Sequence, residues 1–126
     1  MTKIKKILIS ACELSADNYA AHLARALKEK NKNIELIGIG SVASKKAGID
    51  VKFDMSALST VGVIEPLRYL PRLLWSLKKM KQLMVEEKPD LFIPIDNQGF
   101  HMLCCKKAKK LNIPVNYFIA PQHWHW

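Results

Sequence analysis

The sequence predicts an α/β protein: a single Rossmann-like domain with a mostly parallel sheet of about five strands and helices on both faces. Three observations predict it. Short, largely apolar runs (Ile4 to Ser10, Ile34 to Ile39, Leu91 to Ile95, Val115 to Ile119) alternate with stretches of helical spacing. The run at 91–95 is apolar throughout, the pattern of a central parallel strand buried on both faces. A chain of 126 residues, 49% hydrophobic and 25% charged, suffices for one core of ordinary size.

In chain order, the strand at 4–10 runs into Ala11-Cys12-Glu13-Leu14-Ser15-Ala16-Asp17, where Ser15 or Asp17 can cap a helix. That helix carries Ala20, Leu23, Ala24 and Leu27 at helical spacing and ends at Asn31-Lys32-Asn33. A second strand, 34–39, completes a βαβ unit. No Gly-x-Gly-x-x-Gly follows the first strand, so a dinucleotide fingerprint is missing there. Gly40 to Gly48 reads as a turn with a short helix, and Val51 to Phe53 as a short strand. Pro71 suits a first helical position, which predicts a short helical segment near 62–69, a break, and a long helix over 71–87. Leu70, Leu73, Leu74, Leu77, Met80 and Met84 form its apolar stripe. After the strand at 91–95 comes a helix from Gln98 to Leu111, with Met102, Cys105 and Ala108 expected inward.

The 20 Lys and Arg against 11 Asp and Glu give a formal charge of +9. Such an excess points to an anionic partner: nucleic acid, a phosphorylated small molecule or an acidic membrane surface. The three cysteines, Cys12, Cys104 and Cys105, form neither a disulfide framework nor a zinc motif, and a reducing cytoplasm fits them. The apolar run near the N-terminus is too short for a signal peptide or a membrane span. Val63, Ile64, Leu67, Leu70, Leu73 and Leu74, with Arg72, Lys78, Lys79 and Lys81 beside them, exceed what one helix face needs. They are therefore a candidate contact with an anionic membrane surface. The chain stops at Trp124-His125-Trp126, which leads us to expect a truncated or split protein.

Ligands of open α/β sheets bind beyond the carboxyl ends of the strands. Three strand ends carry polar residues: Glu13, Ser15 and Asp17; Asp96, Asn97 and Gln98; and Gln122, His123 and His125. Carboxylates and a histidine at one crevice suit proton abstraction from a hydroxyl. Asp96 either serves that chemistry or caps the following helix. Trp124 could stack on a sugar. His123 and His125 lack further ligands of matching spacing, so neither a metal nor another cofactor is expected.

Four segments in order resemble one family, the lipid-A-disaccharide synthases. Cys12-Glu13-Leu14-Ser15-Ala16-Asp17 resembles a Gly-Glu-x-Ser-Gly-Asp signature, and Val61-Gly62-Val63-Ile64-Glu65 a Met-Gly-x-x-Glu segment. Pro89 to Asp96 resembles a Pro-Asp-x-x-x-x-Ile-Asp strand, and Pro121 to Trp126 a Pro-Ser/Gln-x-Trp-Ala-Trp element. Cys12 and Ala16 replace the signature glycines, and Gly99 and His101 replace an acid and an asparagine of the run after Asp96.

The resemblance implies an inverting glycosyltransferase of the two-domain GT-B type. It would transfer 2,3-diacylglucosamine from UDP to lipid X (2,3-diacylglucosamine 1-phosphate) in lipid A biosynthesis. Residues 1–126 would be the N-terminal, acceptor-side domain, without the UDP-sugar-binding domain and so inactive alone. Asp96 would be the catalytic base. Glu13, Ser15, Asp17, Asn97, Gln122 and Trp124 would bind substrate, with Ser15 equally suited to a helix cap. Glu13 and Asp17 would position the sugar or tune Asp96. The implied partners are the two lipid substrates, an anionic membrane surface and a separate C-terminal half chain, with no nucleic acid. The implied location is the inner face of the cytoplasmic membrane. The rival expectation is a non-catalytic membrane- or partner-binding remnant.

Overall fold

The computed structural model describes residues 5–54, 66–96 and 98–118. Four parallel strands, β1 (Lys6–Ala11), β2 (Glu35–Ile39), β3 (Asp50–Phe53) and β4 (Leu91–Ile95), form a sheet in the order β3-β2-β1-β4. Among the described residues, the helices α1 (Leu14–Lys30), α2 (Val42–Lys46) and α3 (Pro66–Glu87) lie between successive strands, and α4 (Gln98–Lys110) follows β4. The chain steps outward from β1 to β3, then crosses back to add β4 on the other side of β1. That reversal puts the topological switch point between β1 and β4, paired from Ile7↔Leu91 to Ala11↔Ile95.

Both faces of the sheet are buried, as the apolar runs predict. Ile7, Ile9, Ala11, Leu36, Ile93 and Ile95 face α1. Leu8, Ile37, Ile39 and Phe92 face α3 and α4 through Met80, Met84, Phe100, Cys104 and Ala108. Fully burying side chains such as Leu8, Ile9, Phe92 and Ile95 contributes about 1.5–3 kcal/mol each. α1 presents Ala16, Ala20 and Ala24, spaced four apart and fully buried, so one face of small residues meets the sheet. Gly38 sits opposite Ile9, and a Cβ there would overlap the Ile9 carbonyl oxygen. The two strands require glycine at that point.

The structure corrects several expectations. α3 is continuous from Pro66 to Glu87, with Pro71 inside it. Pro66 takes the first-turn position expected for Pro71, and Pro71, inside the helix, has no N–H to donate to the preceding turn. Met102 is exposed, and the inward face of α4 is Phe100, His101, Cys104 and Ala108. Neither Ser15 nor Asp17 caps α1: Glu13 is its N-cap residue and makes no side-chain cap bond.

The expected last strand is present only as a broken rung series. Residues 115–118 lie parallel to β4 through the bridges Phe92↔Val115 and Ile95↔Phe118. Phe92 and Asp96 donate to the Pro114 and Phe118 carbonyls, and Asn116 and Phe118 donate to those of Phe92 and Pro94. The rung that residue 94 would donate to Asn116 is missing because proline has no N–H.

Candidate active site

The switch point brings the end of β1, continuing as Cys12 and Glu13, beside the end of β4, continuing as Asp96. α1 and α4 begin at this same edge. Asp96 is 8% exposed and adopts φ 50°. A left-handed backbone is uncommon for a residue with a side chain and marks a locally constrained position.

Beneath Asp96 lies a buried polar cluster that sequence reasoning missed. The His101 ring is fully buried, with Nδ1 2.6 Å from the Asp96 carbonyl oxygen and Nε2 2.7 Å from Ser10 Oγ. The Tyr117 hydroxyl donates to the same Asp96 oxygen at 2.6 Å. A carbonyl only accepts, so Nδ1 carries the proton. Burial pushes the His101 pKa down to about 4, outweighing the opposing effect of the Asp96 carbonyl, so the ring is neutral at pH 7. Nε2 is then the acceptor and the Ser10 hydroxyl the donor. Cys12 Sγ stands 3.6 Å from Nε2, and burial pushes its thiol up to about 12, so it stays protonated and unreactive. Burial also raises the Tyr117 phenol to about 12. Only two signals in the sequence hinted at the cluster: a serine in an otherwise apolar strand and a histidine among the inward positions of α4.

Asp17 stands apart from Asp96, at the end of β2, which β1 separates from β4. Its buried carboxylate accepts from the backbone N–H groups of Ser41 (2.7 Å), Ala43 (3.0 Å) and Ser44 (3.1 Å) and from Ser44 Oγ (2.5 Å). It therefore occupies the N-terminus of α2 and fixes α1 to the end of β2. Gly40 makes room for this: a Cβ there would come within 2.5 Å of Ser44 Oγ and 3.1 Å of the Asp17 carboxylate. Glu13 is half-buried and Ser15 exposed in the first turn of α1. Asn97, Gln122 and Trp124 lie outside the described residues, as do His123 and His125.

Among the expected membrane contacts, Leu73 is half-buried against the core formed by Met80 and Met84. Leu74 is 57% exposed, as is its neighbour Trp75 at 51%, with Lys79 over the Trp75 ring. Val63 and Ile64 lie outside the described residues, as do the side chains of Leu67 and Leu70. Among the described residues no helix is long and apolar enough to cross a membrane.

The family model for lipid-A-disaccharide synthetase matches residues 7–126. The chain belongs to that family. It is 35% identical over 126 residues to the lipid-A-disaccharide synthase of Myxococcus xanthus and 38% identical over 120 residues to that of Nitrosococcus oceani. These alignments cover 100% and 95% of this chain but 33% and 31% of the relatives. The chain thus spans about a third of the length of the synthases it matches. Among solved structures, a co-structure of S. aureus MnaA with UDP shares the fold at TM-score 0.59 and 19% identity, over 90% of this chain and 29% of that one. A UDP-N-acetylglucosamine 2-epimerase also matches at TM-score 0.59, with 15% identity over 93% of this chain and 32% of that one. At such identities the likeness concerns the fold alone, and it agrees with the Rossmann-like class expected from the sequence.

Proposed function

We propose that this chain is the acceptor-side part of a lipid-A-disaccharide synthase and that Asp96 is its general base. The observation that carries the reading is the position of Asp96. In a member of this family, a nearly buried carboxylate residue follows the strand at the switch point, with its backbone held left-handed. An acidic side chain there suits removal of the proton from an acceptor hydroxyl as it attacks the sugar carried by UDP. The complete reaction would join 2,3-diacylglucosamine from UDP to lipid X, with residues beyond this chain holding the UDP-sugar. Those residues would come from a longer form of the protein or from a separate C-terminal chain. Glu13, half-buried one strand away, would help orient the acceptor, and Gln122 and Trp124 would line the crevice.

The assay is glycosyl transfer from UDP-diacylglucosamine to lipid X. Residues 1–126 alone are expected to be inactive, because transfer needs both substrates positioned together. Completed by the remaining two thirds of a synthase, the protein should turn over, and Asp96→Asn should lower kcat by about a hundredfold or more. Activity of the folded variant within a few-fold of the parent would refute the base assignment.

Peripheral binding to the inner face of the cytoplasmic membrane belongs to the same reading. Its support is the exposed pair Leu74 and Trp75 beside Lys78 and Lys79, on a chain of net charge +9. Leu74→Gln should weaken co-sedimentation with phosphatidylglycerol vesicles without unfolding the protein. Unchanged binding would remove Leu74 from the contact.

A further inference from the structure

Among the described residues three that are not glycine have positive φ: Lys88 (47°), Asp96 (50°) and Asn112 (59°). Two of them have a local reason. Lys88 ends α3, its N–H reaching the Met84 carbonyl, and Asn112 ends the turn after α4, its N–H reaching that of Lys109. Left-handed residues commonly close helices in this way. Asp96 lies between a strand and a helix start, where no helix end demands it.

What Asp96 has is two donors on one oxygen. His101 Nδ1 and Tyr117 Oη each lie 2.6 Å from its carbonyl, from elements five and twenty-one residues away. The His101 ring is held from its far side by Ser10, and its edge meets the Tyr117 ring (centroids 6.1 Å apart). Asp96 N–H is in turn committed to the Phe118 carbonyl. With both peptide groups flanking its Cα tied down, the direction of the Cα–Cβ bond is fixed as well.

We propose that His101 and Tyr117 are positioning residues which hold the Asp96 backbone left-handed and so aim its carboxylate. The inference deepens the base assignment above and rests on it for its catalytic meaning. It assigns no contact with substrate to either residue. It also gives a reason for His101 at a position where the resemblance has asparagine: either side chain can donate an N–H to the carbonyl.

NMR of the 126-residue chain tests the geometry without any activity. At pH 7 the His101 ring should show a protonated Nδ1 and a bare Nε2, and Asp96 the strong intraresidue amide–Hα NOE of a positive φ. Tyr117→Phe keeps the ring contact and removes only the hydroxyl. It should weaken that NOE, and His101→Phe with Tyr117→Phe should abolish it, whereas His101→Asn should preserve it. In the completed enzyme, Tyr117→Phe should lower kcat about tenfold with KM unchanged, and His101→Asn should stay close to the parent. An unaltered NOE in Tyr117→Phe and in a folded His101→Phe variant would overturn the proposal, as would the opposite tautomer. If the NOE behaves as stated while Asp96→Asn remains active, the base assignment fails and the positioning role stands.

Discussion

β1 and β4 are tied together at both ends, by opposite means. At their N-terminal ends the ties are ionic and wet. The Asp90 carboxylate, just before β4, accepts from the N–H groups of Lys5 and Lys6 at 2.9 Å each, and Lys6 Nζ adds neighbouring contacts with Glu87 at the end of α3 (3.1 Å) and Glu35 at the start of β2 (3.6 Å). At their C-terminal ends the ties are neutral and dry, running from Ser10 through His101 to the Asp96 carbonyl. The Asp90–Lys5 and Ser10–His101 bonds join residues 85 and 91 positions apart. Solvent screens the first, so each pair adds little and responds to salt. The second has no water to fall back on. A buried polar group deprived of its partner carries its full desolvation cost, so the dry end is intolerant of change and geometrically strict. The residue that strictness defines is Asp96.

Acid should separate the two ends most. His101 has a folded pKa of about 4 against an ordinary 6.5, so between these values the unfolded chain binds a proton that the folded one refuses. Its effect on stability is therefore absent above pH 6.5, and stability falls as the pH drops toward 4. The loss is roughly 3 kcal/mol for this one group. Denaturant titrations across that range read it, and a flat profile between pH 6.5 and 4.5 would contradict it. The wet end titrates elsewhere. Asp90 is held below the usual carboxylate range by the Lys5 and Lys6 N–H groups, so its contribution disappears only in stronger acid. The Glu87 partnership raises Lys6, whose contribution is lost on the alkaline side, as the pH rises through the raised pKa.

Next in size is His101→Leu, which leaves the Ser10 hydroxyl only the Cys12 sulfur at 3.9 Å and takes one donor from Asp96. We expect it to cost about 2–3 kcal/mol by equilibrium denaturation at pH 7 and to flatten the acid slope. A slope that survives would assign the acid sensitivity to another group. Ser10→Ala should cost less, about 1–2 kcal/mol, because it leaves only Nε2 without its donor. The smallest effect belongs to the wet end: Glu87→Gln should cost under about 1 kcal/mol and less still in 1 M salt. A loss there equal to that of Ser10→Ala, unaffected by salt, would erase the distinction between the ends.

Residues close in sequence determined much of this protein. The apolar runs fixed strands buried on both faces, because a strand's burial is written in its own few side chains. Asp96 was legible as the first polar residue past such a run, and four ordered motifs carried the family. What only the tertiary structure decided depends on residues that meet from far apart. The strand order placed the switch point at β1 and β4. It also drew the Asp17 carboxylate to α2, twenty-four to twenty-seven residues away, where the sequence allowed a cap for α1 or a substrate ligand. Helix packing turned Met102 outward, since one helical turn offers several apolar residues and the neighbouring core selects among them. Ser10 and His101, ninety-one residues apart, show no shared pattern in the chain. Hydrogen bonding between them follows from β1 and α4 meeting at one end of the sheet, a consequence of topology that no local period encodes.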